Sequence, residues 1–444
     1  MTKSLHTIAH SLFQPSRKIP NVTVTGVKLN SSQVEEGDLF IAIPGTKVDG
    51  HDFIGDAIDS GAIAIISNGR DVGKLSVPQI KVANPRRAAS IVAAEYYGHP
   101  TKDLIVLGIT GTNGKTTTAS LLYFILNNAG HKTAQLGTLG TIADGFNQEA
   151  TLTTPDSISL QKTFSELRDA DFSHIVMEVS SHALDQYRVA DVEFDVALFT
   201  NLTSEHLDYH ASIEAYYQAK ARLFRMLPLE STAIVNESDP NGLRMAEETN
   251  APTLTFSRSN GNSIHFSDLN ISISGIHGKI IAGHITYEID SSLVGEFNAE
   301  NILGAVSVAH ALGIEKEMIE DGIKKCSAIP GRMESFPLAN GAKAIIDYAH
   351  TPDAYEKVLG TLKEVSLDDS YLYVVFGAGG DRDASKRPKM ARIAEIFATH
   401  CFVTPDNPRT EDPDQISKEI IGGFFGSNFT VFKDRRAGLE DALN

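Results

Sequence analysis

Residues 104–130 read LIVLGITGTNGKTTTASLLYFILNNAG, and this stretch decides the fold class. It opens on Leu104-Ile105-Val106-Leu107-Gly108-Ile109, a continuous apolar run of the kind shown by parallel strands buried on both faces. A Gly-rich turn follows, and a helix is predicted from Thr116 to Ala129. There Leu122, Ile125, Leu126 and Ala129 recur at helical spacing. Gly130 then occupies the C′ position that commonly ends a helix. Strand, glycine turn and helix in this order make a phosphate cradle. Glycines let backbone N–H groups converge on phosphate oxygens, and the helix N-terminus adds positive potential. The cradle residues are Gly111, Thr112, Asn113, Gly114, Lys115, Thr116 and Thr117. Lys115 suits terminal phosphates, and the Thr116 hydroxyl suits Mg²⁺. The strict pattern has Gly six residues before the Lys. Here Ile109 stands there, flanked by Gly108 and Gly111, so the loop is a variant.

Working outward, Ile175–Val179 and Val196–Phe199 read as further buried strands. Strand–helix alternation of this kind implies a parallel sheet with helices on both faces. Glu178 closes one strand, and carboxylates at strand C-termini point into the ligand crevice of such a sheet. An oxygen ligand there suits a hard Mg²⁺. The strand after it runs into TNLTSEHLDYH (200–210), where His206 gains interest from its place beside a nucleotide loop. Residues 214–224, EAYYQAKARLF, read as a helix with Lys220 in its middle. A lone helical lysine is ordinarily a solvated charge, so these rules alone do not select it.

The stretch before Pro100 alternates short apolar runs (38–43 and 62–66) with Gly and Pro turns, and reads as a small α/β domain. After Gly331-Arg332, apolar runs at 344–346, 372–376 and 401–403 alternate with helical segments. The expectation is therefore an α/β protein of three domains, at 1–100, 101–330 and 331–444. The central one is a P-loop-type doubly wound parallel sheet, and the last is Rossmann-like.

Composition sets limits on function. With 444 residues, 42% hydrophobic and 21% charged, the chain has the balance of a globular protein with sizeable cores. A formal charge of -17 argues against general nucleic-acid binding, which needs a basic face. No apolar run reaches the roughly 20 residues of a membrane span, and residues 1–18 lack the apolar centre of a signal peptide. Cys326 and Cys401 are isolated, so neither a disulfide framework nor a zinc site is suggested. A cytoplasmic monomer is expected.

Ten segments carry a wider resemblance. GTNGKTTTASLL, TLTTPD, MEVSSHALDQYRV, FTNLTSEHLDYH, AKARLF, GEFNAENILGA, PGRME, IDYAHTPDA, GAGGDRDASKRPKM and TPDNPRTEDP follow one another in the order typical of Mur ligases. The chain resembles that family along essentially its whole length. The resemblance implies that ATP phosphorylates a substrate carboxylate and that an amine then attacks the acyl phosphate to form an amide. It puts ATP on residues 111–117 and Mg²⁺ on Thr116, Glu178 and His206. It also implies that Lys220 is carbamylated and becomes a carboxylate-like metal ligand. Lys115 joins Glu178, His206 and Lys220 as the expected catalytic set, and Asn301, Arg332 and Asp347 match residues used around the nucleotide.

By the same resemblance the other substrate is a UDP-MurNAc-L-Ala-D-Glu dipeptide. Leu29, Ser31, Thr46, Lys47 and Val48 match its nucleotide-sugar contacts. Thr153, Thr154, Ser180, Gln186 and Arg188 match its muramoyl-dipeptide contacts. Where the family usually shows Asp-Ser-Arg, this chain reads Asn30-Ser31-Ser32. The added amino acid is expected to be meso-diaminopimelate, because Asp406-Asn407-Pro408-Arg409 resembles the members that use it. Its second carboxylate suits a guanidinium in bidentate fashion. Arg409 is expected at a buried crevice-lining strand end, and Arg382 matches a second contact to the amino acid. Alternatives are an L-lysine-adding member, or a nucleotide-binding relative with impaired catalysis. The family normally continues past residue 444 through a strand and a G-K-G-H-E motif, so the C-terminal domain is expected to be incomplete.

Overall fold

The computed structural model describes residues 2–12, 22–45, 48–258, 261, 263–367 and 369–443. Its organising element is the strand Ile105–Thr110, whose side chains are almost all buried. It lies between two parallel neighbours, His174–Glu178 and Val196–Phe199, paired as Met177↔Gly108 and Leu198↔Ile109. Thr133–Gly137 continues the sheet in parallel on one side, and Gly140–Ile142 turns back against it. Thr232–Asn236 and Thr253–Ser257 continue it in parallel on the other. The strand that comes first in sequence is thus central, with later strands on both flanks. Its C-terminal end is the topological switch point at which open α/β sheets bind ligands. The helix that follows spans Lys115–Asn128, one residue earlier at each end than its apolar spacing suggests. Gly130 does sit just beyond it, at φ +83°.

Toward the N-terminus, Gly26–Lys28, Asp38–Ile41, Ala64–Ser67 and Gln79–Lys81 form a four-stranded parallel sheet in that order. The helix Pro85–Tyr97 covers it. Asn84 caps the helix by accepting from the backbone N–H groups of Arg86 and Arg87, and Pro85 sits where no donor is needed. Leu39, Ile41, Ile66, Val92 and Tyr96 make one core with Ile158. Arg87 ties this region to the next through a two-armed ion pair with Asp191.

The chain forms two compact units. One comprises residues 1–267, 279–288 and 300–325, and the other residues 268–278, 289–299 and 326–444. In the second, Tyr373–Phe376, His400–Val403 and Phe429–Val431 form a parallel sheet, with a core of Leu359, Phe376, Ala391, Val403 and Ile420. The apolar run at 344–346 does not join it. Lys343–Ile346 pairs antiparallel with Glu334–Pro337, because the short turn between them, with Gly341 at φ +86°, leaves room only for a hairpin. Among the described residues no helix is long and apolar enough to cross a membrane.

Candidate functional site

The loop after the central strand is shaped by two glycines that no other residue could replace without rearrangement. A Cβ at Gly111 would lie 1.8 Å from Thr200 Oγ1, and one at Gly114 would lie 2.2 Å from Asn301 Oδ1. Gly114 also sits at φ +86°, where a side chain is strained. Gly114→Ala is therefore expected to cost more than about 1 kcal/mol of stability. It should also weaken nucleotide binding, which thermal melting with and without ATP would reveal. The loop is held from the facing strand end. Asn201 accepts from the backbone N–H of Thr112 through its carbonyl (2.8 Å) and from that of Asn113 through its side chain (2.9 Å). The Thr200 hydroxyl donates to the Asn113 carbonyl at 2.6 Å.

Two lysines converge on this loop. Lys115 Nζ donates to the carbonyls of Gly111 (2.9 Å) and Thr112 (2.8 Å). Lys220 Nζ donates to the same Gly111 carbonyl at 2.7 Å, from the helix Ile213–Arg225. Lys220 is only 1% exposed and lies 4.4 Å from the centre of the Tyr216 ring. The general expectation of a solvated lysine fails here, because this face of the helix packs beneath the 111–117 loop. Burial first, and then the charge of Lys115, push its ammonium well below the ordinary lysine range.

Glu178 ends its strand as expected and is buried. It accepts from the Thr116 hydroxyl (3.0 Å), from the backbone N–H of Thr138 (2.8 Å) and from the Thr138 hydroxyl (3.2 Å). Thr116 and Glu178 thus set two hard oxygen donors side by side, a donor set that fits Mg²⁺. Thr117 is buried in the first turn of the helix, and Asn301 accepts from the Thr118 hydroxyl at 3.5 Å. His206 keeps 43% of its side chain exposed, with Glu205 at 3.8 Å and the rings of His182 and Tyr216 beside it. Partial burial lowers its basicity, against the opposing charge of Glu205. Among the described residues no three His, Cys, Asp or Glu side chains converge tightly enough to hold a metal.

The dipeptide candidates form a connected group. The Thr154 hydroxyl donates to the Glu178 carbonyl at 2.9 Å and accepts from the backbone N–H of Ser180 at 3.0 Å. Thr153 meets Thr138 at 3.3 Å. Arg188 donates to the Thr154 carbonyl and to the Gln186 side chain, both at 2.8 Å. The residue-by-residue reading misses Arg86, which reaches Gln186 at 3.4 Å and the Pro44 carbonyl at 2.9 Å. Nothing near position 86 in the chain marks it, since its partners lie far away in sequence. Leu29 and Asn30 line a cavity of about 600 Å³, together with Gly26, Tyr96, Tyr97 and Lys162. Ser31 starts the short turn beyond it, and Val48 is 59% exposed. Thr46 and Lys47 lie outside the described residues.

In the second unit, Asp347 accepts from the backbone N–H groups of Met333 (2.9 Å) and Ala349 (2.7 Å), and burial pushes its carboxyl up. Arg332 lies over the neighbouring Tyr348 ring at 5.3 Å. Arg382 and Asp406-Asn407-Pro408-Arg409 sit on two adjacent loops, with Arg382, Asp406, Asn407 and Arg409 exposed. Arg409 donates to the Gly380 carbonyl at 2.5 Å. Arg409 is thus an exposed residue whose guanidinium is held against the neighbouring loop, not a buried one as expected, because the loop leaves the sheet before reaching residue 409.

Residues 23–97 match the catalytic domain of the Mur ligase family, 109–309 the Mur ligase middle domain and 331–444 the glutamate ligase domain of Mur ligases. The chain is 42% identical over 406 residues to a protein of Geobacter metallireducens named UDP-N-acetylmuramoyl-L-alanyl-D-glutamate--2,6-diaminopimelate ligase. That match spans 90% of this chain and 79% of the relative. The chain belongs to the Mur ligase family. A Bacillus cereus relative of the same name is 37% identical, over 99% of this chain and 90% of its own length. A solved structure with that name superposes with a TM-score of 0.73 at 30% identity, covering 99% of this chain and 90% of the other. The three-domain α/β architecture of Mur ligases is thus the architecture of this chain.

Proposed function

We propose that this Mur ligase adds meso-2,6-diaminopimelate to the D-glutamate of UDP-MurNAc-L-Ala-D-Glu, using ATP, as a cytoplasmic monomer of three domains divided near residues 100 and 330. The observation that carries the ATP-dependent step is the convergence of Lys115 and Lys220 on one carbonyl, Gly111, beside the Thr116–Glu178 pair. The amino acid rests on DNPR at 406–409 and on the names of the relatives.

The chemistry needs like charges held together. A dipeptide carboxylate oxygen attacks the terminal phosphorus, ADP leaves, and the amine then displaces phosphate from the acyl phosphate with loss of a proton. Lys115 neutralises negative charge as it gathers on the transferring group, and the loop N–H groups orient it. Thr116 and Glu178 would hold Mg²⁺, with His206 and a carbamylated Lys220 as further ligands by resemblance. When bound, the ion supplies charge neutralisation between carboxylate and phosphate. Arg188 and Gln186 position the dipeptide, and Asn301, Arg332 and Asp347 are assigned to the nucleotide by resemblance alone.

Phosphate release with the UDP-muramoyl dipeptide, comparing diaminopimelate with L-lysine, tests the proposal. Diaminopimelate is expected to support turnover and lysine to do so poorly. Equal use of both, or preference for lysine, would point to the lysine-adding reaction. Because Arg409 is an exposed residue already bonded to the Gly380 carbonyl, the cost of a buried unpaired charge does not apply to it in the free protein. Arg409→Ala is therefore expected to lower kcat/KM for diaminopimelate by about tenfold, near 1.4 kcal/mol. The rate with lysine should hardly change. A proportional loss with both amino acids would make Arg409 a purely structural residue.

A further inference from the structure

The two loops that carry Arg382 and Arg409 are joined by a residue that none of the foregoing roles uses. Arg387, in the helix Lys386–Phe397, is 1% exposed. One of its terminal nitrogens donates to Glu411 (2.8 Å) and Glu419 (2.6 Å). The other donates to Glu411 (2.9 Å) and to the Gly379 carbonyl (3.2 Å). Its Nε is buried without a hydrogen-bond partner. Glu411 in turn accepts from the backbone N–H of Asp381.

The loops also interlock directly. The Gly380 N–H donates to the Asn407 carbonyl at 2.9 Å, and the Thr410 hydroxyl donates to Asp381 at 2.6 Å. A Cβ at Gly380 would lie 1.8 Å from the Pro408 carbonyl oxygen, so the backbones touch. Arg387 therefore grips the 379–383 loop through Gly379 and the 406–412 loop through Glu411. Glu419, from the helix Pro413–Ile421, supplies the second balancing carboxylate. We infer that Arg387, with Glu411, is a positioning residue for the incoming amino acid, holding Arg382 and Arg409 at a fixed separation.

The inference rests on the proposed function for the identity of that amino acid. A diacid grasped by two guanidinium groups is sensitive to the distance between them, whereas ATP and the UDP-dipeptide are not. Glu411→Gln, which keeps shape and removes charge, and Arg387→Lys, which keeps charge and removes the fork, separate the contributions. Both are expected to raise KM for diaminopimelate about tenfold, with KM for ATP and the UDP-dipeptide within about twofold of wild type. Placed on Arg409→Ala, Glu411→Gln should have little further effect, since the grip would have one hand fewer to position. Equal shifts for all three substrates, or a lower melting temperature with the diaminopimelate KM unchanged, would overturn the inference. Additive losses in the double variant would do so too. If the wild-type chain turns over lysine instead, the proposed function fails. The same variants measured on the lysine KM then decide the positioning role, where an unchanged value overturns it.

Discussion

Replacing Lys220 with alanine is expected to lower turnover by at least about a hundredfold, the scale on which single groups placed against a transition state act. Its hydrogen bond to Gly111 is worth on the order of 1 kcal/mol and would not explain so large a loss. The larger effect follows from where the amine sits. It is enclosed beneath the nucleotide loop, with Lys115 bonded to the same carbonyl. Carbamate formation adds the unprotonated amine to dissolved CO2 with loss of a proton, and this enclosure favours the unprotonated amine. The product is an anionic oxygen ligand in place of a second cation beside Lys115. Short-chain carboxylic acids are therefore expected to restore part of the activity of Lys220→Ala. Lys220→Met, which keeps an apolar stem, should retain a wild-type melting temperature while losing turnover. Full activity in the alanine variant would sink the carbamate role.

Lys115→Ala is expected to raise KM for ATP by about a hundredfold and to leave the UDP-dipeptide affinity within about twofold. The division follows from the contacts. Lys115 reaches back to two carbonyls of its own loop, Gly111 and Thr112, so its ammonium belongs to the loop proposed to bind ATP. The dipeptide candidates Thr154, Gln186 and Arg188 are linked to one another by hydrogen bonds of their own. Calorimetry with each substrate checks this. Parallel loss of both affinities would assign the lysine to the shared architecture of the site and not to ATP.

The parts of the molecule that are legible in the sequence are those that local chemistry encodes. The nucleotide loop lies within one strand, one turn and one helix, so apolar run length, glycine placement and helical spacing locate it to within a residue. Glu178 is legible for a similar reason, since a strand terminus in a parallel sheet has a known direction. Lys220 is not. The role proposed for it rests on contact with Gly111, 109 positions away, and periodicity says nothing about which neighbour a helix face will meet. The family resemblance supplies it instead. Arg387 stands in the GAGGDRDASKRPKM run but reads as one more surface cation among Arg382, Lys386 and Lys389 until its carboxylate partners are seen. The strand at 343–346 is recognisable, yet its partner is not, because pairing is set by the turn that precedes it. The surface position of Arg409 escapes sequence reasoning because a strand end fixes where a loop begins, not how far it travels.

The central place of the strand Ile105–Thr110 has a consequence for how this chain is made. Its two partners begin at residues 174 and 196, so the strand leaves the ribosome long before either exists. At about 5–20 residues per second, roughly ninety further residues take on the order of 5–20 s to emerge. Until residue 174 emerges, the run of Val106, Leu107 and Ile109 has neither of its strand partners, and one edge stays unpaired until residue 196 follows. The first-domain sheet, whose strands all lie before residue 82, can close in the meantime. The 111–117 loop can therefore take its final shape only once Val196–Phe199 and Asn201 have emerged, and chains that stall before residue 200 are expected to leave this apolar strand exposed.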